Sequence, residues 1–259
     1  MAVENENMPH NEEQDASTLS LVEHLEELRW RLFKALGAIV VGTIIAFVFR
    51  SQIVELLVLP FPEQANALTQ ADRPLTVTGI TEGFTVFLKI SIVAGCIIAL
   101  PVVLYQTWAF IAPGLIKREK KYAIPFIFTG MLLFLGGVSL GYFMLRYPVE
   151  WLVTFAGESF TELITADRYF SFVAIFLLTF GLIFEIPLVL TFLALVGVVT
   201  PSSLKRKRSV AHFGLWVAAT FLMPGADIWS PVVLGLAMSS LYELTFFFIQ
   251  LLKKQADRY

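Results

Sequence analysis

Charge is scarce in this 259-residue chain: Asp, Glu, Lys and Arg make up only 15% of it, against about 25% in soluble domains. Apolar residues reach 57% and mean hydropathy is +0.73, which excludes both a water-soluble globule and a disordered chain. Neither sign of charge dominates, with 19 Lys and Arg against 21 Asp and Glu, so nothing suggests a nucleic-acid partner. The single cysteine, Cys96, lies inside an apolar run; an internal disulfide, a Cys-based zinc site and an iron–sulfur cluster are all excluded. His10, His24 and His212 fall in separate segments and do not form a ligand set. Walker-type G-x-x-x-x-G-K-[ST], H-E-x-x-H and G-x-S-x-G are absent, so ATP hydrolysis and the common hydrolytic chemistries lack their parts. No cofactor, no metal and no enzymatic activity are expected.

What the chain has is long apolar runs. Crossing about 30 Å of hydrocarbon takes roughly 20 helical residues, and runs of that order cover 32–49, 84–111, 123–145 and 169–199. Two weaker runs follow at 210–223 and 232–252, separated by Pro224-Gly225-Ala226-Asp227 and by Pro231. The first of these measures about 21 Å as a helix, so it has to thin the bilayer or lean on neighbours. The expected fold is an all-α integral membrane protein with six spans. Residues 1–19 form a disordered, acidic cytoplasmic tail, 20–252 the membrane domain and 253–259 a second short tail. The N-terminus lacks the basic region of a secretory signal.

Orientation follows from the cations, because Lys and Arg flanking spans are retained in the cytoplasm. Fourteen of the nineteen gather in four segments: Arg29, Arg31 and Lys34; Lys117, Arg118, Lys120 and Lys121; Lys205 to Arg208; and Lys253, Lys254 and Arg258. The opposite loops hold Arg50, Arg73, Arg146 and Arg168, and Lys89 is near enough to the outer surface to snorkel. Both termini are therefore expected in the cytoplasm, which requires an even number of spans and supports the short fifth one.

Ser20-Leu21-Val22-Glu23 has the form of a capping box, after which Leu21, Leu25, Leu28 and Leu32 recur at helical spacing as one apolar stripe. Glu27 stands four residues before Arg31, and their pairing would be worth about 0.3–0.5 kcal/mol. Alternatively Glu23 and Glu27 repel on one face, and an arriving cation relieves them. Glu119 is the one acid among four cations, an easy internal pair. Glu185 stands within a long apolar run, where a charge costs about 2.5–3.5 kcal/mol. Pro187 removes the hydrogen bond to the Ile183 carbonyl and predicts a kink beside the carboxyl. Glu243 in the last span is a milder case, and Gly137 and Gly141 form a helix-packing G-x-x-x-G pair.

Taken together, His24-Leu25-Glu26-Glu27-Leu28-Arg29-Trp30-Arg31-Leu32, the stretch from Tyr105-Gln106 to Glu119, Phe184-Glu185-Ile186-Pro187 and Pro224-Gly225-Ala226-Asp227 resemble the TatC family in order and spacing. This family provides the multispanning receptor of the twin-arginine protein translocase, and the resemblance covers the chain from about Leu21 to the end of the sixth span. It implies a cupped, six-helix protein of the bacterial plasma membrane that binds Arg-Arg signal peptides of folded cargo. It further implies assembly with single-span TatA and TatB-type subunits and with other copies of itself, within membrane lipid, driven by the proton-motive force.

Carried over by position, Glu27 and Glu119 match the signal-binding acids, and Leu25, Arg29, Phe110 and Pro113 the surrounding motif. Glu185 matches the intramembrane glutamate, Asp227 the outer acid before the last span and Pro60 a proline of the first outer loop. Thr220 and Met223, with Glu243, are the expected partner contacts; Trp229 and Pro231 depart from the family's phenylalanine and non-proline residue. The competing expectation is a proton-coupled small-solute transporter using Glu185, although the inverted repeats and discontinuous spans usual in such proteins are not visible.

Overall fold

The structure is a computed structural model that describes residues 10–61, 75–111, 123–156, 164–195, 199–222 and 228–256. Its elements are helical: α1 (His10–Val48), α2 (Arg50–Val58), α3 (Glu82–Ile111), α4 (Ala123–Met144), α5 (Arg146–Ala156), α6 (Ala166–Phe184), α7 (Ile186–Leu195), α8 (Pro201–Arg206), α9 (Arg208–Leu222) and α10 (Trp229–Ala256). Five stretches are long and apolar enough to cross a bilayer: Glu23–Val48, Glu82–Ile111, Ile124–Phe155, Ala166–Ala194 and Trp229–Phe247. The short run expected as the fifth of six crossings is α9, whose 15 residues rise only about 22 Å.

Helix α1 begins at His10, ten residues ahead of the capping box. Between His10 and Gly37 the chain contains neither glycine nor proline, and the Glu-, Gln- and Leu-rich sequence favours helix throughout. Helix α1 packs antiparallel against α3, as contacts at descending positions show. Phe47 meets Phe84 edge-on with centroids 6.4 Å apart, Gly42 lies against Gly95, and His24 stacks on Phe110. At the middle contact the backbones nearly touch: a Cβ on Gly42 would stand 2.5 Å from the Gly95 carbonyl oxygen.

The core is centred on α6, where Val173, Phe176 and Phe180 are fully buried. Helix α4 lies alongside it through the predicted glycine pair. A Cβ at Gly137 would sit 2.5 Å from the Phe180 carbonyl oxygen, and one at Gly141 3.0 Å from Phe180 Cβ. Phe134 fills the reciprocal space over Gly181, so large and small residues alternate across one seam. In hydrocarbon such shape matching substitutes for the hydrophobic driving force that water would provide.

The expected kink is present. Helix α6 stops at Phe184, the Glu185 amide bonds the Leu182 carbonyl at 3.1 Å, and α7 resumes at Ile186. Pro187 explains the break, since it has no N–H to give the Ile183 carbonyl.

At the end of the bundle where α3 and α6 begin, the two are tied by backbone and side chain. Thr76 and Thr165 form a parallel bridge, with Ala166 N donating to Thr76 O at 2.8 Å. Lys89 Nζ donates to Asp167 Oδ1 at 2.5 Å and Ser171 Oγ at 3.0 Å. Glu82 accepts from the Thr78, Gly79 and Asp167 amides. At the other end, Thr200 caps α8 by accepting from the Ser203 amide at 3.2 Å, and the Tyr242 hydroxyl donates to the Leu204 carbonyl at 3.0 Å, joining α8 to α10.

Candidate functional site

Helix α1 projects Glu27 near its N-terminal half, with about a third of the side chain exposed. Arg31, one turn on, donates from Nε and Nη2 to Glu27 Oε1 at 2.9 and 2.5 Å. The intrahelical pair expected of these residues is therefore formed. The second oxygen is differently placed: His24 Nδ1 stands 3.9 Å from Glu27 Oε2, which is beyond hydrogen-bonding distance. Leu25 is exposed, and the Arg29 guanidinium lies 5.8 Å from the centre of the Phe33 ring.

Helix α3 supplies the other wall. The His24 and Phe110 rings stack with centroids 4.5 Å apart and planes 20° from parallel. This contact fixes the Glu27 turn beside the end of α3, from which the chain continues toward Pro113 and Glu119; those two lie outside the described residues. The site thus joins residues 86 positions apart through one aromatic contact. Sequence periodicity carries no signal for such a pair, and His24 enters the site on geometry alone.

Glu185 occupies a separate place, at the α6–α7 break. Its Oε2 faces Gly130 of α4, where an added Cβ would also strike Leu104 and Leu188 side chains, while Oε1 is enclosed without a hydrogen-bond partner among the described residues. Below it Trp108 packs on Phe126 with centroids 4.8 Å apart and meets Phe192 edge-on. The carboxyl consequently sits at a three-helix junction, not on the α1 surface with Glu27.

Pro60 is half-buried beyond α2, just before Phe61, which is buried edge-on against Tyr169 at 5.2 Å. Thr220 is exposed on α9 and returns its hydroxyl to the Trp216 carbonyl at 3.0 Å. Met223 and Asp227 lie outside the described residues. Glu243 on α10 is held by α9: Arg208 donates from Nε and Nη2 to its two oxygens, each at 2.6 Å, and His212 Nε2 is 2.7 Å from Oε1. The partners of Glu243 are 31 and 35 residues away; Arg208 is the last of the four cations Lys205 to Arg208, and nothing in the sequence pairs it or His212 with Glu243.

Long apolar helices, one of them broken beside an acid, define a multi-pass helical membrane protein. Residues 23–236 match the family model described as Sec-independent protein translocase protein (TatC). The Desulforapulum autotrophicum Sec-independent protein translocase protein TatC is 32% identical over 236 residues, spanning 91% of this chain and 86% of that protein. The Koribacter versatilis protein of the same name is 36% identical, across 88% of this chain and 83% of its own. A crystal structure of the twin-arginine translocase receptor TatC superposes with a TM-score of 0.70 at 34% identity, covering 88% of this chain and 98% of that one. The chain belongs to the TatC family. It is accordingly a non-enzymatic transport protein, which displaces the small-solute transporter expectation.

Proposed function

We propose that the chain is the receptor and core subunit of a twin-arginine translocase, recognising Arg-Arg signal peptides of folded proteins at Glu27 and Glu119. The single observation that carries this is the partly exposed Glu27 carboxylate held beside the end of α3 by the His24–Phe110 stack. A carboxylate accepts two parallel hydrogen bonds from a guanidinium fork, whereas a lysine offers one point charge. Two acids on adjoining segments suit two consecutive arginines. Leu25 and Phe110 provide apolar flanks, Pro113 belongs to the same recognition motif, and Arg29 limits the surplus of negative charge on α1.

Six spans with both termini cytoplasmic, α9 being the short fifth, place Glu27, Glu119 and the cation-rich segments on the inner face, in keeping with the distribution of Lys and Arg. The membrane domain at 20–252 is preceded by an acidic cytoplasmic segment whose residues from His10 onward belong to α1, not to the disordered tail expected over 1–19, and it is followed by the short tail at 253–259. Thr220 and Met223 on or just after α9 offer a lateral surface to single-span TatA and TatB-type partners, and Glu243 acts there by anchoring α9 to α10. Glu185 is a polar point within the membrane, while Pro60 and Asp227 belong to the outer loops. Transport of cargo is driven by the proton-motive force, with several copies of the chain in the assembly.

The test is site-specific photocrosslinking from positions 27 and 119 to leaders bearing Arg-Arg or Lys-Lys, alongside Glu27→Gln and Glu119→Gln proteins that still insert. Expected are adducts with the Arg-Arg leader only, and weakened binding in each variant by roughly tenfold, the worth of one charge-assisted bond of about 1.5 kcal/mol. Equal crosslinking of both leaders would overturn the reading.

A further inference from the structure

The acid assigned to the leader is not empty at rest. Arg31 already holds it, and it does so in an incomplete manner: Nε and Nη2 both donate to Oε1, while His24 Nδ1 stands 3.9 Å from Oε2, beyond hydrogen-bonding distance. The strong carboxylate–guanidinium geometry uses both oxygens in two parallel bonds. Arg31 engages one oxygen from a position one turn along the same helix. Arg29, the other guanidinium on this turn of α1, is turned to Phe33.

We propose that Arg31 is a built-in competitor for the leader, occupying Glu27 in the resting protein and displaced when a leader arginine takes both carboxylate oxygens. This rests on the receptor reading of Glu27. The side chains of Arg31 and Glu27 are 23% and 32% exposed, so the pair is partly shielded from water and its attraction is only partly screened. An incoming arginine approaches from outside the helix and can meet the carboxylate side-on. It therefore exchanges a one-oxygen contact for a two-oxygen one, while Arg31 is released to solvent.

Because Arg31 is tethered one turn away, it is always present to recapture Glu27, as an intramolecular ligand at high effective concentration. Two consequences follow. Glu27 never stands as an uncompensated charge at the membrane surface, and leader binding is kept weak enough to reverse after transport. Arg31 is thus a residue that sets affinity without contacting the leader.

The experiment measures binding of a fluorescent Arg-Arg leader peptide to the full chain in lipid nanodiscs, for the parent protein, Arg31→Gln, Arg31→Lys and Glu27→Gln. Arg31→Gln is expected to bind about twofold to fivefold more tightly, the range set by an ion pair of this exposure, with a slower off-rate. Arg31→Lys should fall between it and the parent, since lysine keeps the charge and loses the fork. Unchanged or weaker binding in Arg31→Gln, with binding still lost in Glu27→Gln, overturns the competitor role and leaves the receptor reading standing. Undiminished binding in Glu27→Gln overturns the receptor reading, and the competitor role with it. Matching thermal midpoints among the four proteins exclude a folding origin.

Discussion

Helix α1 is held to the rest of the protein mainly along α3, and the closest point of that seam is glycine on glycine. Replacing Gly95 by alanine tests whether the approach matters. A Cβ at that position would stand 2.5 Å from the Thr43 amide nitrogen, 2.5 Å from Thr43 Oγ1 and 2.7 Å from Thr43 Cα. Ordinary contacts lie at about 3.5–4.0 Å, so the helices have to separate by about 1 Å. Two of the three atoms are backbone, and Thr43 Oγ1 is committed to the Ile39 carbonyl at 2.8 Å, so no flexible side chain can yield. Overpacking of this kind costs about 1–3 kcal/mol, from which alanine's better helix propensity subtracts about 0.8–1.0 kcal/mol. The net loss is up to about 2 kcal/mol, at about 2–4 °C of unfolding midpoint per kcal/mol for a chain of this size, and the gap to a control that keeps the propensity gain is the full overpacking cost of about 1–3 kcal/mol. Gly37 on the same helix provides the control, because a Cβ there meets nothing within 4 Å; Gly37→Ala should melt at or above the parent. The assay is thermal unfolding in detergent by tryptophan fluorescence at a fixed scan rate, since membrane proteins often unfold irreversibly. Equal midpoints for the two variants would refute the argument.

Three further outcomes follow from the same contacts. Glu243→Gln should lower stability by about 0.5–1 kcal/mol in low salt, discounted for the exposure of Arg208, with the difference shrinking as salt screens the pair; a deficit independent of ionic strength would contradict the ion-pair origin. A double-mutant cycle with Lys89→Met and Asp167→Asn should give a coupling of about 0.5–1 kcal/mol, kept small because both side chains are more than a third exposed; zero coupling would remove the clasp between α3 and α6. Phe110→Ala forfeits a ring contact worth about 0.5–1.5 kcal/mol and should weaken leader binding while Glu27 and Arg31 remain intact, read by the nanodisc titration. Full affinity in that variant would show that the stack does not hold the site.

The positions of five crossings were legible in the amino-acid order because the cost of leaving water is local to each residue and adds along a run. For the same reason the break beside Glu185 was legible, since a proline two residues later removes one identified hydrogen bond, and so was the Glu27–Arg31 pair, which a helix brings together at four-residue spacing. The short α9, Arg208–Leu222, falls on the weak run expected at 210–223, whereas α1 starts ten residues before the capping box that was read as its beginning.

Which helices meet, and where, was decided only by the tertiary structure. Between apolar helices in lipid no hydrophobic gain selects a partner. Gly42 against Gly95, Phe134 over Gly181 and His24 on Phe110 are therefore matters of shape across long sequence separations. Glu243 reads in the sequence as one lone acid in an apolar helix; in three dimensions it is the anchor of α9, because Arg208 and His212 arrive from a neighbouring antiparallel helix. Composition alone marked the stretches long and apolar enough to cross a bilayer, because that cost adds residue by residue, while contact geometry brought Glu27 to the end of α3.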